Sequence, residues 1–254
     1  MLKDNSGGGN GAVYKGLAIG PNGLLYAANF RASAGAVEVY DQTMKLVNTI
    51  TDPTLPKGYA PFNVQVLNGK LYVTFALPDP AKNNHDDLSG AGHGFVDVFN
   101  LDGTGMKRLV SNGVLDSPWG LAIAPAGFGA FTGDLLVGNF CSDPAAPGVG
   151  SINAFDPSNG NLLGTLDGAN GNPIEIPGLW DLTIGNEGTG VDPNAIYFTA
   201  GISTFGVTNS DETHGLFGDV ALVPEPGSLA LLVSIIAGFL WFRRRAADPR
   251  SLAR

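Results

Sequence analysis

The sequence predicts an all-β chain: a β-propeller of four-stranded antiparallel blades, followed by one C-terminal transmembrane helix. Three observations predict it. A pattern of short alternating strands recurs four times along the chain. Thirty-seven glycines and 17 prolines in 254 residues disfavour helix interiors and favour short elements joined by turns. A run of fourteen residues from Leu229 to Phe242 has Ser234 as its one polar member and ends on Arg243, Arg244 and Arg245.

The repeat is read strand by strand. The first strand recurs as KGLAI from Lys15, FNVQV from Phe62, WGLAI from Trp119 and WDLTI from Trp180. The second follows as LLYAANF from Leu24, KLYVTFA from Lys70, DLLVGNF from Asp134 and AIYFTAG from Ala195. The third is always opened by glycine, at Gly35, Gly94, Gly150 and Gly215. In the first three copies a polar turn leads into a fourth strand, KLVNTI, KRLVSN or NLLGTL. Copies are 47, 57 and 61 residues apart, measured from Leu17 to Val64, Leu121 and Leu182. Four antiparallel strands repeating at that period are the signature of propeller blades. Val37 and Val39 alternate with Glu38 and Tyr40, as strands packed face to face require. Blades are expected over about 13–57, 58–114, 115–176 and 177–222, after a glycine-rich segment at 1–12. The longest insertions fall between second and third strands, hence at one end of the disc. The last copy has three strands, and the N-terminal segment has no alternation with which to supply a fourth.

Charge separates body from tail. Fourteen Lys and Arg against 23 Asp and Glu give −9, which repels a phosphate backbone and excludes nucleic acid as a partner. The residues after Leu222 carry +3, so the body carries −12. The single cysteine, Cys141, excludes an intramolecular disulfide and a cysteine-cluster metal site.

A helix over about 227–242 would be ~24 Å long, spannable with snorkelling across a hydrocarbon core of ~30 Å. Trp241 and Phe242 suit the interface, and the arginines hold the C-terminus, 248–254 included, in the cytoplasm. Before the run, Val223, Pro224, Glu225, Pro226 and Gly227 form an extended, accessible hinge. The stretch from Val223 to Arg245 resembles the PEP-CTERM sorting signal of Gram-negative bacteria, with Pro-Glu-Pro, a short membrane helix and an arginine cluster in that order within 223–247. The resemblance implies export, transient anchoring in the inner membrane with the propeller on the periplasmic side, recognition by an exosortase near Pro224 to Pro226, and release to the cell surface or outside the cell. It describes an address and no activity.

No signal peptide precedes the body, which conflicts with that address and leads to the expectation that the chain is the C-terminal portion of a longer protein; a four-bladed ring is the alternative. The body from about Asn5 also resembles an uncharacterised bacterial propeller family often carrying this tail, through the segment Gly11 to Asp41. That resemblance implies a six-bladed ring lacking its first two blades here.

Propeller ligands sit at the mouth of the central channel, which the first strands line. The residue opening that strand is Lys15, Phe62, Trp119 or Trp180, and the next is Gly16, Asn63, Gly120 or Asp181. Aromatic rings beside an amide and a carboxylate suit sugars, as exopolysaccharide binding would need; such rings also simply plug the gap between blades. His85, Asp86, Asp87 and His93 cluster in the longest insertion, and His214 holds the repeat position of His93. These ligand types suit zinc or another divalent ion, although Asp- and Gly-rich loops are also ordinary solvated turns. No nucleophile, phosphate-loop, dinucleotide or zinc-protease motif occurs. The expected role is therefore a non-enzymatic binding or structural module needing no cofactor. The alternative is a calcium-dependent hydrolase or lactonase using Asn63, Asp181 and Glu175 in the channel.

Overall fold

The structure, a computed structural model, describes residues 11–32, 34–140, 150–185, 190–202 and 214–221. The chain divides into two compact units, Met1–Ala221 and Leu222–Arg254, and every described residue belongs to the first. The sorting motif at 223–226, the apolar run, Arg243 to Arg245, Cys141 and the N-terminal ten residues lie outside the described residues. Among those described, no helix is long and apolar enough to cross a membrane.

The described residues form a four-bladed, all-β propeller. Blade 1 comprises β1 (Tyr14–Ile19), β2 (Leu25–Asn29), β3 (Ala36–Tyr40) and β4 (Leu46–Ile50). Blade 2 comprises β5 (Ala60–Leu67), β6 (Lys70–Ala76), β7 (Phe95–Phe99) and β8 (Lys107–Ser111). Blade 3 comprises β9 (Pro118–Ile123), β10 (Leu135–Asn139), β11 (Ile152–Phe155) and β12 (Leu162–Thr165); the three-stranded blade 4 comprises β13 (Leu179–Ile184), β14 (Ile196–Ile202) and β15 (His214–Val220). Each is an antiparallel meander in sequence order. Inner strands touch in succession, β1 to β5, β5 to β9 and β9 to β13. The six-bladed ring implied by resemblance is not seen; the described strands make four sheets.

Period-two alternation assigns each face of a blade to a different neighbour. In β6, Leu71, Val73 and Phe75 join Tyr26, Val37 and Val39 of blade 1, while Tyr72 turns the other way to Leu121 and Val137 of blade 3. In β10, Leu135 and Val137 face blade 2, and Leu136 faces Leu179, Leu182 and Ile196 of blade 4. In β1, Ala18 packs toward blade 2 while Leu17 and Ile19, 58% and 75% exposed, present the opposite face.

The turns between third and fourth strands share one device. Asp41, Asp102 and Asp156 each accept hydrogen bonds from the backbone amide two residues on, at Thr43, Thr104 and Ser158, at 2.8, 2.9 and 2.8 Å. The glycine opening the third strand has a steric cause. A Cβ at Gly94 would lie 2.5 Å from the Pro118 ring, and one at Gly150, where φ is +58°, 1.7 Å from the Ile176 carbonyl oxygen. At both positions the chain crossing to the next blade passes directly over the strand.

Candidate functional site

A β-bulge at the same place in every blade builds the channel wall. Between inner strand and second strand, Tyr14 and Leu17 pair with Asn29 and Ala27, Pro61 and Asn63 with Phe75 and Thr74, Pro118 and Gly120 with Asn139 and Gly138, and Leu179 and Leu182 with Ala200 and Phe198. Each inner strand thus carries one residue more than its partner. The extra residue falls at Lys15–Gly16, Phe62, Trp119 and Trp180–Asp181, which the bulge re-aims off the sheet. Asparagine clasps hold the bulges: Asn29 Oδ1 accepts from Val13 N at 3.0 Å, and Asn139 Oδ1 accepts from Asp116 N at 3.0 Å. In blade 2 the Thr74 hydroxyl does the same for Asn63 N at 2.9 Å.

The re-aimed residues converge on a cavity of about 400 Å³ lined by Lys15, Asn63, Trp119, Phe140, Trp180 and Asp181, with Phe62 and Asp86 also on its wall. The channel set anticipated from the first strands is therefore brought together, but its members differ in role. Phe62 is buried, with Phe30 at 4.8 Å, Trp119 edge-on at 4.6 Å and Phe140 at 6.0 Å. Its ring packs in the axial core with Phe30, Ala60, Ala76 and Phe140, the arrangement of the plug alternative. Trp119 and Trp180 are only half-buried and present aromatic surface to the cavity.

Polar groups come from three blades. Asn63 Nδ2 donates to Trp119 O at 2.9 Å while its Oδ1 accepts from Val64 N at 2.8 Å. Glycine at position 16 makes room, since a Cβ there would lie 2.0 Å from Asn63 Oδ1. Gln65 Nε2 donates to Asp181 Oδ2 at 3.1 Å, and Leu182 N to Asp181 Oδ1 at 2.9 Å. Burial pushes the Asp181 carboxyl above its ordinary value, and the Leu182 amide, Gln65 and Asn63 offset it only in part. Lys15 Nζ stands 3.5 Å from Asp86 and 6.0 Å from the centre of the Phe62 ring.

The histidine and aspartate set disperses. His85 and Asp86 are exposed, and Asp86 turns to Lys15. Asp87 turns inward; burial raises its carboxyl to about 6 against the Ser117 hydroxyl, which lowers it. His93 Nδ1 is engaged with Leu88 O at 2.9 Å. His214 opens β15 opposite Ile202, and its side chain lies outside what is described. Among the described residues, no group of three His, Cys, Asp or Glu is placed to hold a metal.

Calcium in the channel would have to draw on the same wall. Calcium takes six to eight oxygens. Among the described residues the wall offers two carboxylates, of which Asp86 faces an ammonium, and the Asn63 oxygen is taken by a backbone amide. Glu175 is exposed and does not line the cavity. Sequence reasoning missed Gln65, Phe140 and the place of Asp86 on the channel wall, and it placed Lys15 there without giving it a partner. Of these, only Lys15 carried a signal, its repeat position equivalent to Phe62.

No family model matches the chain. It is similar to two uncharacterised proteins of Acanthamoeba polyphaga mimivirus. One is 36% identical over 194 residues, covering 74% of this chain and 44% of that protein. The other is 35% identical over 199 residues, covering 76% and 49%. The chain thus spans less than half the length of these curated relatives. Among solved structures it is similar to a streptogramin B lyase, at 13% identity and a TM-score of 0.49 over 87% of this chain and 59% of that one. A gluconolactonase of Xanthomonas campestris gives 17% identity and a TM-score of 0.40 over 75% and 70%. These likenesses are of fold and assign nothing to the cavity.

Proposed function

We propose that the protein is a non-enzymatic binding module that takes a saccharide into the channel cavity and acts at the cell envelope or in an extracellular polysaccharide matrix. The observation that carries the reading is the convergence of two half-buried tryptophans, Trp119 and Trp180, on one cavity with Asp181 and Asn63. Indole faces cover the apolar side of a sugar ring while carboxylate and amide take its hydroxyls. A cavity of about 400 Å³ lies within the range of small-ligand sites, roughly 300 to 1,000 Å³.

The test is titration of the purified protein with the host's own polysaccharides and with short oligosaccharides, read by tryptophan fluorescence and calorimetry. Binding should weaken roughly tenfold in Trp119→Ala. No heat and no fluorescence change with any saccharide would overturn the reading.

The address belongs to the same proposal. Val223, Pro224, Glu225 and Pro226 are read as the exosortase recognition site and 227–242 as a transient anchor, with Arg243 to Arg245 as the cytoplasmic stop. Grafting 223–254 onto a carrier protein in the host should send it to the membrane and then release it. Alanine at Pro224, Glu225 and Pro226 should abolish release and leave the anchor working. A longer, six-bladed ring is the matching proposal for the body, supported by the exposed apolar pair Leu17 and Ile19 on blade 1. The genomic sequence upstream of Met1 tests it, and an in-frame stop directly before Met1 counts against it.

A further inference from the structure

The cavity's charge is unlike that of a site for neutral sugars. Among the described residues its wall carries one cation, Lys15, and two carboxylates, Asp86 and Asp181. Lys15 is committed to the rim, 3.5 Å from Asp86, which is itself exposed. Asp181 is partly buried, and its partners are neutral: the Gln65 and Asn63 side-chain amides and the Leu182 backbone amide. Among the described residues no cation pairs with it; Lys15 pairs with Asp86, and Arg108 with Asp52 and Asp97. A carboxylate partly removed from water with only neutral donors is under-compensated, and such groups in folded proteins are normally paired.

Around this carboxylate stand aromatic rings. Trp119, Trp180 and Phe140 line the same space, with Trp119 and Phe140 6.0 Å apart and tilted by 41°. Ring faces are electron-rich and attract cations within about 6 Å, more strongly as water is excluded. An aromatic wall around one uncompensated carboxylate is the arrangement that holds an ammonium group. We infer that the ligand of this cavity carries a protonated amine, specifically a saccharide with a free amino group, its ammonium against Asp181 and its ring against Trp119 and Trp180. The inference rests on the saccharide reading for the sugar part and on Asp181 and the rings for the amine part.

Calorimetry on the full chain separates the two, using glucosamine oligomers, the same oligomers N-acetylated, glucose oligomers of equal length, and trimethylammonium as a bare cation. The free-amine oligomers should bind on the order of tenfold more tightly than the acetylated ones. Asp181→Asn, checked for folding by thermal unfolding, should bring the two to equal affinity. Lys15→Gln, at the rim, removes a like charge and should tighten amine binding severalfold. Equal affinity for amine, acetylated and neutral oligomers would overturn the amine inference and leave the saccharide reading standing. Binding of trimethylammonium, lost in Asp181→Asn, with no saccharide bound at all would do the reverse. Binding of neither, in wild type and Lys15→Gln alike, would overturn both.

Discussion

Arg108 shows at the scale of one residue how a buried charge is kept. Its guanidinium bonds to both Asp97 and Asp52 and lies with its carbon 4.6 Å from the centre of the Phe95 ring. The two carboxyls respond oppositely. At Asp52 burial raises the value, but the Thr54 hydroxyl and amide and Arg108 outweigh it and hold it below the ordinary range. At Asp97, fully buried, burial prevails over Arg108, and the neighbouring Asp52 adds to it, so the carboxyl is pushed up to about 7. A carboxyl raised in the folded state favours folding where it is protonated, and that contribution is lost as pH rises through its folded value. Asp87, at about 6, acts in the same direction. The melting temperature should therefore fall between about pH 5 and pH 7, and Asp97→Asn should flatten that slope. A wild-type melting temperature that rises over this interval would contradict the assignment. Removing the shared partner is harsher: Arg108→Ala leaves two buried carboxyls unpaired and should cost about 3–5 kcal/mol by denaturant unfolding. The clasp residue Asn139 gives a second case. Its amide serves Asp116 N, Val114 O and Ser151 Oγ, so Asn139→Ala should cost about 2 kcal/mol through the groups left unsatisfied. Neither cluster was legible in the sequence, since Asp52 and Arg108 are 56 positions apart and Asn139 looked like one more strand-end residue.

Among elements, the third strand and the bulged inner strand differ in how far the sequence disclosed them. The glycine of each third strand was visible as a repeat, but its reason in the first three blades was not: the crossover to the next blade passes over Gly35, Gly94 and Gly150. That reason makes a graded prediction. Gly94→Ala should destabilise by about 1–3 kcal/mol, because a Cβ would strike the Pro118 ring at 2.5 Å. Gly215→Ala, where a Cβ meets nothing within 4 Å, should change stability by less than about 0.5 kcal/mol. Equal losses at the two positions in urea unfolding would refute the steric account. The bulge was not visible, because one extra residue leaves alternation nearly intact over strands of six to eight residues. It nonetheless decides that Trp119 and Trp180 face the channel.

At the scale of the whole molecule, the described body consists of blades whose outermost faces differ from those between. Leu17 and Ile19 are more than half exposed, and Phe217 on β15 is 71% exposed beside Tyr197 at 6.0 Å. In the described body these side chains contribute little to folding, so Leu17→Gln with Ile19→Thr should leave the unfolding free energy within about 0.5 kcal/mol of wild type and reduce self-association at high concentration, measured by urea unfolding and light scattering. A large loss of stability would mean that the pair is buried in the protein as it folds. The sequence by itself determined the four repeats, their strand order, the glycine at each third strand and the aromatic position at three of the four first strands, because these follow from local alternation and turn chemistry. Only the tertiary structure decided which aromatic residue is a plug and which a wall, that Asp86 turns to Lys15 rather than to a histidine, and that Gln65 meets Asp181. Those outcomes depend on contacts between blades, 116 positions apart for Gln65 and Asp181, and local pattern carries no information about which distant side chains share one solvent-excluded space.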